Sequence, residues 1–590
     1  MLGTHEVSLG YLDALARGRS DPAIVSMLRQ ANRSKQLILL RAVLDHARDT
    51  VMSPLPAVED AWGLFASAQR QDRAAVEPVI THPLNALWAA RILRRLRGRE
   101  ADASGPLWAD LGYVHQLATA AAIRAGQDFR FRVPVWRGAV VLPTLGRADV
   151  RSRREWDFAE VHAEHGNVLI RGPAGSVRVP EDPATDGDGW WALRVLRTHG
   201  WDLWLDDLDP FREFDGPIPP RREPPQEVEL WADGVRRTWR LLADQHPATA
   251  AEVAAGVSTL VPRISTDRFT PSSASHTDAF GAVVMSRPAD PTTFAATLVH
   301  ELQHSKFGIL LTLIDLLDPA GDHDTPRLYA PWRDDSRPAD GLLHGLVSFL
   351  GVTAFYRERC AVAHGAAARV ARFEFSYRRE QVTRVTETLL SEATPSALGR
   401  RFLAAARAQL VEWAADPLPE DVRRAARRAN ADHYLSWRLR HLHPPDAVVD
   451  ELAQAWSRHH RKPVVRVKPE LRPSAGSAIH ARLALTRTWL ADPDLFEVYR
   501  AEPELAMAEI PGTTAADLAL LDGDTDTAAE LYQQQILAMP DPTTSWVGLA
   551  LATEDAVLLD RPELVSALHR EIRARSGLVT SPARLARWLA

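Results

Sequence analysis

Apolar residues recur at spacings of three and four through the first 125 positions. Ile24, Met27, Leu28, Leu37, Ile38, Leu40, Val43 and Leu44 form one such stripe, and Leu87, Leu93 and Leu96 continue it. This is how helices with one buried face read. Near Phe129 the period shortens. FRFRVPVW and GAVVLP are short, β-branched and aromatic runs. Val168–Arg171 and Ser176–Val179 flank Gly172-Pro173-Ala174-Gly175 as two strands flank a hairpin turn. Trp190, Trp191, Trp201 and Trp204 add bulk suited to a core. A proline-rich break at 216–226 closes the block. Helical patterning resumes at Val228, yields to a strand candidate at Gly281–Ser286, and returns at Pro291. A second break at 461–477 reads as an exposed linker. It precedes DTAAELYQQQIL and TSWVGLALATEDAVLL, whose alternation of small and large residues suggests a tetratricopeptide-like helix pair. The pattern predicts a mainly α chain with a β-rich insertion, α+β in class. Four parts are expected: a helical region at 1–125, a β-rich module at 126–225, a domain at 226–460 that carries the chemistry, and a helical region at 461–590.

Composition narrows the partners. The 70 basic and 76 acidic residues leave a net charge of −6 over 590 residues, so nothing in the overall charge points to nucleic acid or an anionic membrane. The single cysteine, Cys360, excludes an internal disulfide and any cysteine-based zinc, iron–sulfur or redox motif. The opening MLGTHEVSLGYLDALARGRS has no uninterrupted apolar segment, and no signal peptide is expected. The strongest apolar run, Phe307 to Leu317, is broken by Thr312 and Asp315 and is shorter than the ~20 residues a membrane span needs. The expectation is a cytoplasmic protein without a membrane span.

The chemistry lies in His300-Glu301-Leu302-Gln303-His304, an H-E-x-x-H motif. Asp290 suits a helix N-cap and Pro291 the first helical position. Phe294, Leu298, Leu302 and Ile309 supply an apolar face, and the helix is expected to run to Leu317, before Asp318-Pro319. Residues four apart sit one turn above each other, so His300 and His304 can grip one metal ion. Glu301 lies beside the pair, where a zinc hydrolase keeps the group that accepts a proton from metal-bound water. A third ligand should come from downstream. His323, His344, Glu358 and His364 are the candidates, and His344 is favoured because it opens the helix GLLHGLVSFLGVTAFYRE between Gly341 and Gly345. The intervening loop holds Tyr329, Trp332, Arg333 and Arg337 beside Asp334 and Asp335. An arginine fork there suits a carboxylate through two parallel hydrogen bonds, or else an arginine–aspartate surface network. Strand Gly281–Ser286, just before the motif, is expected at a sheet edge where an extended peptide pairs main chain to main chain. Ser272, Ser273, Ser275 and His276 are expected on the rim.

LVHELQHSKFGILL and YAPWRDDSRPADGLLHGLVSF resemble the actinobacterial HExxH-motif family of peptide-modifying proteins, most strongly over 255–365. The helical start is similar as well. The resemblance implies a 2-oxoglutarate-dependent peptide β-hydroxylase that matures ribosomally made natural products, with a precursor peptide as substrate and a radical-SAM maturase as a further partner. It implies Fe(II), held by His300, His304 and His344, with Arg337 or Arg333 on the distal carboxylate of 2-oxoglutarate and Tyr329 and Trp332 nearby. Glu301 would then ligate the metal or orient a ligand. A zincin-like core around the motif helix is expected on either chemistry. Two other functions fit the residues: a zinc metallopeptidase with Glu301 as its base, and a non-enzymatic peptide-recognition protein.

Overall fold

A computed structural model describes residues 5–18, 21–47, 53–99, 105–214, 216–264, 272–318, 326–465, 467–474, 480–538, 543–577 and 580–590. The chain divides into two compact units, one made of 1–15 and 19–315 and the other of 16–18 and 316–590. The fold is mixed α and β, with the larger sheets in the first unit.

The first unit begins with helices that include Pro22–Ala47, Val58–Gln71, Pro83–Leu96 and Tyr113–Arg124. In Pro22–Ala47 the buried face carries Ile24, Val25, Leu28, Gln36, Leu40, Val43 and Leu44. Ile38, expected in this stripe, is 68% exposed. It lies two residues from the buried Gln36, and about 100° per residue turns it to the far side.

Seven antiparallel strands follow: β1 (Phe129–Trp136), β2 (Ala139–Leu142), β3 (Gly146–Asp149), β4 (Trp156–Glu164), β5 (Asn167–Arg171), β6 (Ser176–Arg178) and β7 (Trp190–Ala192). Their order is β6-β5-β4-β1-β2-β3-β7. The expected hairpin forms: Arg171 pairs with Ser176, and the Gly172 amide donates to the Gly175 carbonyl at 2.8 Å. In β4, Ala159, Val161 and Ala163 alternate with more exposed residues, as in a sheet with one wet face. The buried face joins the helices in one core containing Trp88, Tyr113, Val133, Val161, Ile170 and Trp190. Trp190 and Trp201 are buried, their indole N–H groups donating to the carbonyls of Pro183 and Val257.

A second sheet has the order β11-β12-β10-β9-β8, from β8 (Arg194–Leu196), β9 (Leu203–Leu205), β10 (Thr259–Pro262), β11 (Ser273–Ala274) and β12 (Ala282–Met285). β10 runs parallel to both β9 and β12. Its residues Leu260 and Val261, like all of β12, are buried, which suits continuous apolar runs rather than alternation. The boundary expected at 225/226 therefore runs through a shared sheet: β8 and β9 precede it, and β10 to β12 follow it. The compact units part instead at Asp315/Leu316.

The second unit is helical. Ala339–Val362 and Gly365–Glu392 are followed by Ala397–Ala414, Glu420–His441, Asp446–Ser457 and the shorter helices that end with Pro582–Leu589. Ala339–Val362 is long and apolar enough to cross a membrane, and 67% of its apolar window is buried inside the protein, as in a core helix. The tetratricopeptide-like pair is Thr525–Ala538 and Thr543–Thr553. Gly548 brings the second helix so close that a Cβ there would lie 2.2 Å from the Tyr532 ring. The expected linker does not stay extended throughout. Its β14 (Glu470–Leu471) pairs with β13 (Leu442–His443), and the Arg472 amide donates to the His441 carbonyl at 2.9 Å. Glu374 is enclosed between Arg487 at 2.7 Å and Arg378 at 3.4 Å.

Candidate metal centre

The motif lies on a helix, Pro291–Leu310. Its start follows from the sequence: the Asp290 carboxylate accepts from the amides of Thr292 and Thr293 at 2.9 Å each, and Pro291 takes the position that needs no donor. Its end comes earlier than the expected Leu317. The Thr312 hydroxyl donates to the Ile309 carbonyl at 2.7 Å, and residues 311–313 continue only as turns. A side chain that competes for a terminal carbonyl closes a helix in this way. Phe294, Leu298, Leu302 and Ile309 are buried as expected, but so are Glu301, Gln303 and Lys306. The helix is enclosed on nearly every side. The Lys306 ammonium meets Glu252 at 2.6 Å, with 0% and 1% of the two side chains exposed.

His300 and His304 come together. Their Nε2 atoms are 3.2 Å apart, and the rings stand at 85° with centroids 4.7 Å apart. With metal–nitrogen bonds of about 2.1 Å, that separation subtends about 100° at a shared ion. This lies between octahedral and tetrahedral angles, so the pair fits a metal as it stands. Glu301 is 1% exposed, and its Oε1 accepts from the Ser273 hydroxyl at 2.7 Å. The same oxygen is 3.9 Å from His300 Nε2. Its Oε2 is buried without a hydrogen-bond partner. A carboxylate oxygen in that condition calls for a donor or a cation.

Ser273 belongs to β11, which runs antiparallel to β12. The strand expected at the edge, Gly281–Ser286, is not the edge: β12 has β10 on one side and β11 on the other. Among the described residues the edge is β11, extended by the Ser286 amide donating to the Ser272 carbonyl at 2.9 Å. Two residues of polar strand give no period to detect. Of the expected rim, Ser273 touches Glu301. His276 instead accepts from the Asp278 amide at 3.1 Å and lies against the Phe214 ring. Burial lowers its pKa.

The third-ligand candidates belong to the second unit or lie outside the described residues. His344 is half-buried on Ala339–Val362, in the second unit. Burial lowers its pKa, opposed by Asp340. Glu358 and His364 are exposed, and His323 lies outside the described residues. The loop before His344 closes on itself, since Leu328 and Arg337 exchange backbone hydrogen bonds at 2.7 and 2.9 Å. Arg333 and Arg337 share Asp335, at 2.7 and 3.2 Å. Trp332 stacks on Phe349 at 4.7 Å, and the Tyr329 hydroxyl meets His433 Nδ1 at 2.8 Å.

Among the described residues, two further groups of three potential ligands bring their donor atoms within 4.8 Å of one another. Asp334, His433 and His480 lie in the second unit, where His480 Nε2 is 3.0 Å from Asp334 Oδ1. Burial, then the neighbouring His480, pushes His433 down to about 4. The other group is His82, Asp206 and Asp209, all buried in the first unit. Sequence spacing signals neither group. No protein-family model matches the chain, and no curated protein is similar to it.

Proposed function

We propose that the protein is an Fe(II)- and 2-oxoglutarate-dependent hydroxylase that adds a hydroxyl to a side-chain Cβ of a ribosomally made precursor peptide in the cytoplasm. One observation carries the metal: two imidazole nitrogens 3.2 Å apart on one helix face. The residue likeness over 255–365 carries the choice of iron and keto acid. His300 and His304 would hold the ion, and by the likeness His344 would join them. Bound together, iron and 2-oxoglutarate would supply dioxygen activation, with succinate and carbon dioxide as co-products. The chain's own part is positioning. Ser273 fixes the Glu301 carboxylate, whose remaining oxygen can accept a hydrogen bond from a ligand beside His300. Among the described residues no strand pairs with the outer side of β11, which would offer main-chain donors and acceptors to an extended peptide. The motif helix and this antiparallel edge also support a zincin-like core.

Glu301 favours a second reading, a zinc metallopeptidase. A buried carboxylate beside the histidine pair is also where a general base for water would stand. The deciding experiment loads the full chain anaerobically with Fe(II), adds 2-oxoglutarate and candidate precursor peptides, then admits air. Oxygen-dependent succinate and a peptide one oxygen atom heavier are expected, both lost in a His300→Ala/His304→Ala variant. Zinc-dependent cleavage of peptide bonds without keto-acid consumption would overturn the hydroxylase in favour of the peptidase.

A further inference from the structure

A buried polar cluster in the first unit lies outside the H-E-x-x-H motif. His82 precedes the helix Pro83–Leu96 and is 0% exposed. Both of its ring nitrogens lack a hydrogen-bond partner. Its ring rests against Trp204 at 5.2 Å, and Nε2 lies 3.3 Å from Asp206 Oδ2. Asp206 directly follows β9, anchored by its amide donating to the Leu260 carbonyl at 2.8 Å. The carboxylates are oriented by the backbone. Asp206 Oδ1 accepts from the amides of Leu208 and Asp209 at 3.1 and 2.9 Å. Asp209 Oδ1 accepts from the Phe211 amide at 2.8 Å. Asp206 thus keeps Oδ2 for His82, and the second oxygen of Asp209 meets the Tyr113 hydroxyl.

Donors are too few for that space. The Tyr113 hydroxyl lies 2.6 Å from Asp209 Oδ2 and 3.0 Å from Asn85 Oδ1. A phenol has one hydrogen and cannot serve both acceptors. The Asn85 amide nitrogen spends one of its two hydrogens on the Val79 carbonyl. The buried Arg212 directs its guanidinium to the carbonyls of Asp209 and Pro219, at 2.7 Å each. Arg212 supplies one positive charge within electrostatic reach of both acids. With a neutral His82, whose Nδ1 is buried without a hydrogen-bond partner, the two enclosed carboxylates still exceed it, an imbalance that is costly in a dry interior and that a bound cation would relieve.

We propose that His82, Asp206 and Asp209 form a buried binding site for one divalent transition-metal ion. One imidazole with two carboxylate oxygens suits Mn(II), Fe(II) or Zn(II) better than a thiolate-seeking ion. The ion would tie the entry to Pro83–Leu96 to the turn after β9. With every ligand buried, it would be acquired during folding and exchange slowly.

The test uses the full chain carrying His300→Ala, His304→Ala and His480→Ala, which disables the two other histidine sites. It is unfolded with chelator, refolded separately with Mn(II), Zn(II) and Co(II), desalted, and assayed by elemental analysis. About one equivalent of metal should be retained, Co(II) should give visible ligand-field absorption, and the melting temperature should exceed that of the metal-free protein. Adding Asp209→Asn should abolish retention. The cobalt spectrum needs no change within the cluster, so it remains decisive if the Asp209 variant does not fold. Retention below about a tenth of an equivalent with all three ions, and no thermal shift, would overturn the site and leave a proton-sharing network. Retention that survives Asp209→Asn would overturn it too. Neither result bears on catalysis at His300 and His304.

Discussion

The motif helix is held by a buried ion pair, and removing one partner gives a quantitative test of its placement. Lys306 and Glu252 are 0% and 1% exposed and 2.6 Å apart. Glu252 also receives the Asp21 amide at 3.4 Å. Glu252→Ala leaves an ammonium without its counter-ion in an enclosed site. Breaking such a pair costs about 3–5 kcal/mol, because the surviving charge stays desolvated. For a unit of roughly 300 residues the unfolding entropy is about 0.6 kcal/mol/K, so the transition should fall by about 5–8 °C. Replacing both partners with apolar residues, as in Glu252→Leu/Lys306→Met, should restore most of the loss, since a packed apolar pair is often as stable as a buried ionic one. The assay is calorimetry of the full chain, following the transition that Glu252→Ala moves. The coupling energy comes from the double-mutant cycle. A Glu252→Ala loss below about 1 kcal/mol, the range of exposed pairs, would refute the enclosed position of Lys306 and with it the described seating of the His300–His304 pair.

Glu301→Gln separates the two chemistries: the hydroxylase should keep turnover within about tenfold, whereas a peptidase should lose on the order of 100-fold or more in kcat. Gly345→Ala would place a Cβ 2.3 Å from the Trp332 ring; overpacking of about 1–3 kcal/mol should outweigh the ~1 kcal/mol gained in helix propensity. A thermal melt above wild type would contradict this. Glu374 is fully buried; against desolvation, which raises its pKa, Arg487 and Arg378 hold it below the ordinary range. Its stabilisation is therefore complete above the unfolded glutamate value of about 4.3 and is lost as the pH falls through the depressed folded value. Glu374→Gln should destabilise the second unit near neutrality and flatten that acid-side loss; an acid profile parallel to wild type would contradict the assignment.

The legible parts of the fold are those written in neighbouring residues. Asp290 and Pro291 announce a helix start because a cap and its amides are only two or three residues apart. Gly172 to Gly175 announce a hairpin because a turn is local. The early end of the motif helix was hidden in the Thr312 hydroxyl, whose choice of the Ile309 carbonyl no periodicity reports. The division at Asp315/Leu316 was hidden as well, because β9 joins β10 across the proline-rich stretch that composition marks as a boundary.

The same rule sorts the chemistry. His300 and His304 are four apart, so helix geometry alone makes them neighbours, and their 3.2 Å approach was predictable in kind. The hydrogen bond from Ser273 to Glu301 spans 28 positions and depends on a two-residue strand. His82 and Asp206 meet only because a helix entry and a strand end converge in one core. In sequence, Asp206-Asp207-Leu208-Asp209-Pro210 reads as a solvated acidic turn. Burial of Asp206 and Asp209 to 2% exposure each reverses that meaning. The same carboxylates that would be unremarkable in water become, beside a buried imidazole, a group whose charge the interior must balance.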